Sequence, residues 1–341
     1  MASTVLLVAD PGAPAALAED LRERLTRKGP SEDGAVSVHT GAYRLTEQAS
    51  LSDVVHEVDP ASQRQDIVVY VTDLPRRDGT QPVVADISIP QRFGVISVPS
   101  VGGLFVGRRV RLIVESIIAE VAEEIDGAPT VPGRLTRTEG DGAVRYAAPP
   151  RFARARMLTG MVYANRPWKL AAGLSRVLMA TFATGAVSLA YPTIWQLSST
   201  MGPWRIGVTT VLATAAMVGW LIVNHKLWER PSSPTERERA ALYNASTVLT
   251  LTIGVVVLHA TCFVLLLLTA WWTLPPQMLQ QNLGHPVGVR EFLRLAWLVA
   301  AIATLGGALG SGLEDDKAVK QAAYGARQKQ RFDGDDGGAD S

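Results

Sequence analysis

The sequence predicts a two-part chain: an α/β cytoplasmic domain with a small, mostly parallel sheet, followed by an all-α four-helix transmembrane domain. Three observations predict it. Short apolar runs alternate with amphipathic stretches up to about residue 125. Four long runs without Lys, Arg, Asp or Glu follow, at about 177–197, 206–224, 246–274 and 295–313. Lysine and arginine gather on one side of those runs. A helix of ~20 apolar residues crosses ~30 Å of hydrocarbon, and a charge-free run of that length is costly to expose to water but natural in lipid. The predicted parts are therefore 1–125 as the α/β domain, 126–168 as a linker with a basic juxtamembrane segment, 169–313 as the spans and 314–341 as a charged tail.

In the first part, Thr4–Ala9 (TVLLVA) reads as a buried strand ended by Asp10-Pro-Gly. Pro14–Lys28 places Leu17, Leu21 and Leu25 on one helical face, and Gly29-Pro30 closes it. A second strand is expected at Ala35–Thr40 and a short helix at Asp53–Val58, capped by Ser52. Asp66–Thr72 (DIVVYVT) is the clearest strand. Being apolar on both faces, it belongs in a sheet covered by helices on both sides. Pro82–Ile87 and Gly94–Val98 are two further strands, parallel or paired as a hairpin. Val106–Glu124 is a long amphipathic helix. Residues 126–150 are rich in Gly, Pro and Thr and read as linker, or as a short hairpin turned at Glu139-Gly-Asp-Gly142. Arg151, Arg154 and Arg156 then alternate with Phe152, Met157 and Met161. That pattern suits a segment lying on anionic inner-leaflet lipids near 151–169.

The spans carry their own signals. Basic residues flank the start of span one (Arg151 to Arg176), the link between spans two and three (Lys226, Arg230, Arg237, Arg239) and the end of span four (Lys317 to Arg331). Only Arg205, Arg290 and Arg294 lie on the other side. The positive-inside rule then gives a multi-pass protein of the cell membrane with both termini cytoplasmic. Trp168 and Trp228 mark the inner interface; Trp195, Trp204, Trp271, Trp272 and Trp297 mark the outer one. Pro192 should kink span one. Ser233-Pro-Thr-Glu236 reads as a capping box, so helix three should start in the cytoplasm and run unbroken to Pro275. Ala296, Ala300, Thr304, Ala308 and Gly312 form a stripe of small residues on span four. It permits close helix contact, either inside one bundle or across a homodimer seam. His259 lies deep in span three, a functional candidate unless a Thr or Ser such as Thr184, Ser188 or Thr214 bonds its ring.

Composition narrows the chemistry. The 341-residue chain has a formal net charge of +1, which does not suit a general nucleic-acid binder. Its single cysteine, Cys262, allows no disulfide within the chain. The run at 4–9 is too short for a signal peptide, so the later spans are expected to drive insertion. No dinucleotide fingerprint, P-loop, nucleophile elbow or zinc-hydrolase motif occurs, so no metal or cofactor is called for. Ligands of open α/β sheets collect at the carboxyl ends of strands. There the chain offers Asp10, then Asp73, then the loop Ser97-Val-Pro-Ser100-Val-Gly102-Gly103. That loop leads into a helix opening with Arg108 and Arg109. Cations at a helix N-terminus oppose its dipole, and an anion would relieve the conflict.

With Tyr70-Val-Thr-Asp-Leu-Pro75 and Ala164-Asn-Arg-Pro-Trp168, most of the chain resembles a group of uncharacterised membrane proteins of high-GC Gram-positive bacteria. The resemblance implies an N-terminal α/β domain joined to four spans. Such proteins sometimes carry a methylene-tetrahydrofolate dehydrogenase label, but that enzyme's Tyr–Lys pair and nucleotide-binding glycine loop are missing here. Three functions follow as expectations: a module binding a partner or small anion, a membrane-tethered enzyme with a cleft near Asp10 and Asp73, or a small transporter using His259.

Overall fold

The computed structural model describes residues 4–26, 36–122, 133–167, 175–231 and 236–310. It divides into two compact units with a boundary after Arg166.

The first unit holds strands β1 (Val5–Ala9), β2 (Val36–Thr40), β3 (Ile67–Thr72), β4 (Arg77–Asp78), β5 (Gln81–Ser88), β6 (Phe93–Ser97), β7 (Thr136–Gly140) and β8 (Ala143–Ala147). Its helices are α1 (Ala13–Thr26), α2 (Leu51–Val58), α3 (Val98–Val101), α4 (Val106–Ala122) and α5 (Ala153–Asn165). The sheet order is β2-β1-β3-β6-β5-β8-β7, with β4 beside β5. β2, β1, β3 and β6 pair in parallel. β5, β8 and β7 add antiparallel. The sheet is thus mixed, where the sequence suggested mostly parallel strands. The reason is local. β5 and β6 close as one hairpin, and β7 and β8 as another, whose turn Asp141-Gly142 has φ of 50° and 73°, the doubly left-handed geometry that a two-residue hairpin favours. Residues 136–147 are therefore sheet, not linker. The capping residue of α2 is Ser50, not Ser52: its hydroxyl accepts from the Asp53 N–H, and Asp53 reaches back to the Ser50 N–H.

β1 and β3 are buried along their whole length. On one face, Leu17, Ala18 and Leu21 of α1 and Val110, Ile113, Val114 and Ile117 of α4 cover Leu7, Val69 and Val71. On the other, Val54 and Val58 of α2 cover Leu6, Val8, Tyr70 and Val95. The edge strand β7 reads TRTEG and is largely exposed. Its charges discourage pairing with another chain.

The second unit comprises α6 (Ser175–Ser188), α7 (Pro192–Thr200), α8 (Pro203–Asn224), α9 (Arg237–Thr273), α10 (Pro276–Leu283) and α11 (Val289–Gly310). Among the described residues, α8 and α9 are each long and apolar enough to cross a membrane; α6 and α7 make a third crossing if taken together. The kink expected at Pro192 is a full break: the run 177–197 forms two helices bent by 93°. Pro192 supplies no N–H and its ring clashes with the backbone before it. The break is fastened by Trp195, fully buried, whose indole N–H donates to the Leu189 carbonyl at 2.8 Å. α9 is unbroken over 37 residues, as the sequence suggested; Ser233–Thr235 of the expected capping box lie outside the described residues. α11 opens with Arg290, Glu291 and Arg294 and packs against α6, α8 and α9. Ala296, Ala300 and Thr304 are fully buried there. A Cβ on Gly306 would press on Thr184, and one on Gly307 would collide with Thr181. Ala296, Ala300 and Thr304 of the stripe are thus taken up by the chain's own helices. Gly312 and the tail 314–341 lie outside the described residues.

Candidate functional site: the carboxyl edge of the sheet

The strand order 2-1-3 places a topological switch between β1 and β3, where open α/β sheets bind ligands. Asp10 and Asp73 meet there as the sequence suggested. Asp10 is fully buried, and its backbone N–H continues the ladder to Val71. Its carboxylate is filled from within. The Tyr70 hydroxyl donates to Oδ1 at 2.7 Å, and the Thr72 hydroxyl to Oδ2 at 2.6 Å. The Asp73 N–H adds a third bond at 3.3 Å. Tyr70 reaches it because the parallel register sets Val8 beside Tyr70, and Tyr43 packs edge-on against that ring at 5.4 Å. A buried carboxylate with its oxygens so occupied is a structural clamp between strands, not a free base.

Ser97 and Ser100 are also buried and also bonded. Ser97 Oγ donates to the Leu74 carbonyl at 2.7 Å and accepts from the Arg76 N–H at 3.2 Å. Ser100 Oγ donates to the Arg76 carbonyl at 2.8 Å. Together they tie the loop after β3 to the start of α3. The same loop points Arg76 inward, against Asp86 at 2.9 Å. Asp86 also takes Arg145 at 2.6 Å, which in turn reaches Asp78 at 2.9 Å. This buried network was not foreseen; the signal was Asp86 itself, a lone carboxylate inside the apolar run of β5. A second one joins Glu120 of α4 to Arg137 of β7 at 2.7 Å and to the Tyr146 hydroxyl at 2.8 Å. Burial alone would raise the Glu120 pKa, but the Arg137 and Tyr146 bonds outweigh it and hold the carboxyl below its usual range.

Gly102 and Gly103, expected to cradle a ligand, instead admit α5. A Cβ on Gly103 would lie 2.6 Å from the Thr159 carbonyl oxygen, and one on Gly160 would collide with the Pro99 carbonyl. Gly103 N–H donates to Thr159 Oγ1 at 3.2 Å. Gly102 has φ 92°, a conformation that favours glycine. Near it converge two guanidinium side chains: a Cβ there would sit 3.1 Å from Arg156 Cγ and 3.5 Å from an Arg109 terminal nitrogen. Arg109 donates to the Val101 carbonyl at 3.1 Å. Burial and then the charge of Arg109 lower the Arg156 pKa. Arg108 is exposed. Among the described residues no carboxylate pairs with Arg108, Arg109 or Arg156, whereas the neighbouring Arg111 pairs with Glu115 at 3.3 Å.

No group of three or more metal-ligating side chains occurs among the described residues. A shallow depression of about 330 Å³ lies between α2 and the loop before it, lined by Arg44, Gln48, Asp53, His56 and Glu57. None of the sequence-predicted residues lines it. In the second unit His259 is buried between α9 and α11. Thr304 Oγ1 donates to the Ala300 carbonyl and so accepts from His259 Nδ1–H at 3.2 Å. Thr304, not Thr184, Ser188 or Thr214, is the partner of that ring. Comparison with family models, with curated proteins and with solved structures returned no match.

Proposed function

We propose that this chain is a four-span protein of the cell membrane whose cytoplasmic α/β domain is a non-catalytic anion-binding module. The observation behind this reading is that Arg109 and Arg156 both approach Gly102 and that, among the described residues, no carboxylate pairs with either. Two cations held close, one of them half-buried, are stabilised when an anion enters. Three of the groups an enzyme could use at this edge are otherwise occupied: Asp10 by Tyr70 and Thr72, Ser97 and Ser100 by the loop at 74–76. The four-span reading takes α6 with α7 as the first crossing and α11 as the fourth. The arginines and lysines of 151–176, 226–239 and 317–331 then face the cytoplasm.

The test is calorimetric titration of the full chain in non-ionic detergent with inorganic phosphate and pyrophosphate. Saturable binding is expected, weakened at least tenfold by Arg109→Gln or Arg156→Gln, because each removes a charge-assisted bond of about 1.5–3 kcal/mol. Arg24→Gln, on the exposed side of α1 and paired with Asp20, should leave binding unchanged. No saturable binding, or binding indifferent to both arginines, overturns the reading.

A further inference from the structure

We infer that the anion is the phosphate of an anionic lipid, and that the loop Gly102–Phe105 and the exposed face of α5 form a surface that docks on the bilayer. This rests on the anion-binding reading and names its ligand. Among the described residues before Pro167, the strongly exposed large apolar side chains are Leu104, Phe105 and Phe152, 68–77% exposed. All three lie near Arg109 and Arg156 in sequence or structure: Leu104 and Phe105 follow the Gly103–Thr159 contact, and Phe152 sits one turn before Arg156. Phe105 and Phe152 have φ of 52° and 63°, a left-handed conformation that is uncommon for bulky residues. Apolar side chains held out of an otherwise well-covered domain mark an interaction surface.

Charge chooses the occupant. Residues 98–110 and 148–167, on either side of the Gly103–Thr159 contact, contain arginines at 108, 109, 151, 154, 156 and 166 and no Asp or Glu; Arg111 and Arg145 beyond them are already paired with Glu115 and Asp86. The Arg151 guanidinium lies over the Phe152 ring at 5.3 Å. Aromatic and leucine side chains among arginines are the composition that sits at a headgroup boundary, apolar part in the acyl region and cations among phosphates. The chain also supplies proximity. α5 ends at Asn165 and α6, the start of the first crossing, begins at Ser175. Even fully extended, that tether reaches only ~30 Å, so a bilayer is the surface this face meets at high effective concentration.

The experiment is nitroxide depth measurement on the full chain in nanodiscs of phosphatidylglycerol or of phosphatidylcholine. Cys262 is buried, so the wild type serves as the unlabelled control. Leu104→Cys and Phe105→Cys carry the label in turn, and Ala61→Cys, at the opposite edge of the sheet, reports water. The expected result is a several-fold higher ratio of oxygen to nickel-chelate accessibility at 104 and 105 in phosphatidylglycerol than in phosphatidylcholine, with no change at 61. Arg108→Gln with Arg109→Gln should abolish the difference. Labels at 104 and 105 that stay in water in both lipids overturn the lipid inference. If phosphate still binds at Arg109 and Arg156, the anion-binding reading survives that result; if it does not, both fall.

Discussion

At the residue scale, the carboxylate of Asp10 is the most consequential group in the first unit. Asp10→Ala leaves the Tyr70 and Thr72 hydroxyls and the Asp73 N–H without their acceptor in a buried place. Each orphaned donor costs about 1–3 kcal/mol. Hydrogen exchange should speed up across Val5–Ala9 and Ile67–Thr72, while α8 and α9 exchange as before. Glu120 gives a pH dependence with a defined sign. Its folded pKa lies below the ordinary 4.5, so its contribution is present above about pH 4.5 and is lost as pH falls through the lower, folded value. Glu120→Gln should therefore flatten the acid limb of the first unit's denaturation curve and cost stability at neutral pH. The position of Asp10 and Asp73 was legible, because strands end where apolar runs end. Their role was not. Which donors fill a carboxylate depends on the register between β1 and β3, and that register aligns residues more than sixty positions apart.

At the scale of elements, the strands and helices of the first unit were legible from apolar period and turn residues, to within a few positions. What pairs with what was not. The sequence left the β7–β8 segment open between a hairpin turned at Glu139–Gly142 and linker, because β7 is polar, and it is polar because it is an edge; the structure forms the hairpin. Gly102 and Gly103 suggested a ligand loop, since small residues let something approach; the thing that approaches is α5. Its interface is steric, so it can be tested sterically. Gly160→Val should force α5 off Pro99 and remove exchange protection from Ala153–Asn165, leaving β1 and β3 protected. Protection that persists would mean the backbone yields instead. In the second unit, the run 177–197 was legible as apolar and as kinked at Pro192, but the size of the bend, 93°, was not. Hydropathy is blind to direction, and a proline near the end of a run gives no angle.

At the scale of the molecule, the four-crossing reading makes a prediction about sides. Cysteines introduced at Ala61 and Lys329 should resist a membrane-impermeant maleimide in intact cells, and one at Gln281, on α10, should react. If α11 fails to cross, positions 61 and 329 fall on opposite sides, and only the label at 329 appears with that at 281. Length also has a mechanical meaning. α9 is 37 residues without a break, or ~56 Å at 1.5 Å per residue, nearly twice the ~30 Å of a bilayer's hydrocarbon. Its first turns are polar and braced to the segment after α8, where the Asn244 amide exchanges two bonds with the Glu229 backbone at 2.9 Å and Arg239 meets the Glu229 carboxylate at 3.2 Å. Such a helix is a stiff lever with its fulcrum in the bilayer. If ~25 Å of it stands in water, a change in lean of ~10° displaces the far end by ~4 Å, and hydrophobic mismatch with the bilayer is one influence on that lean.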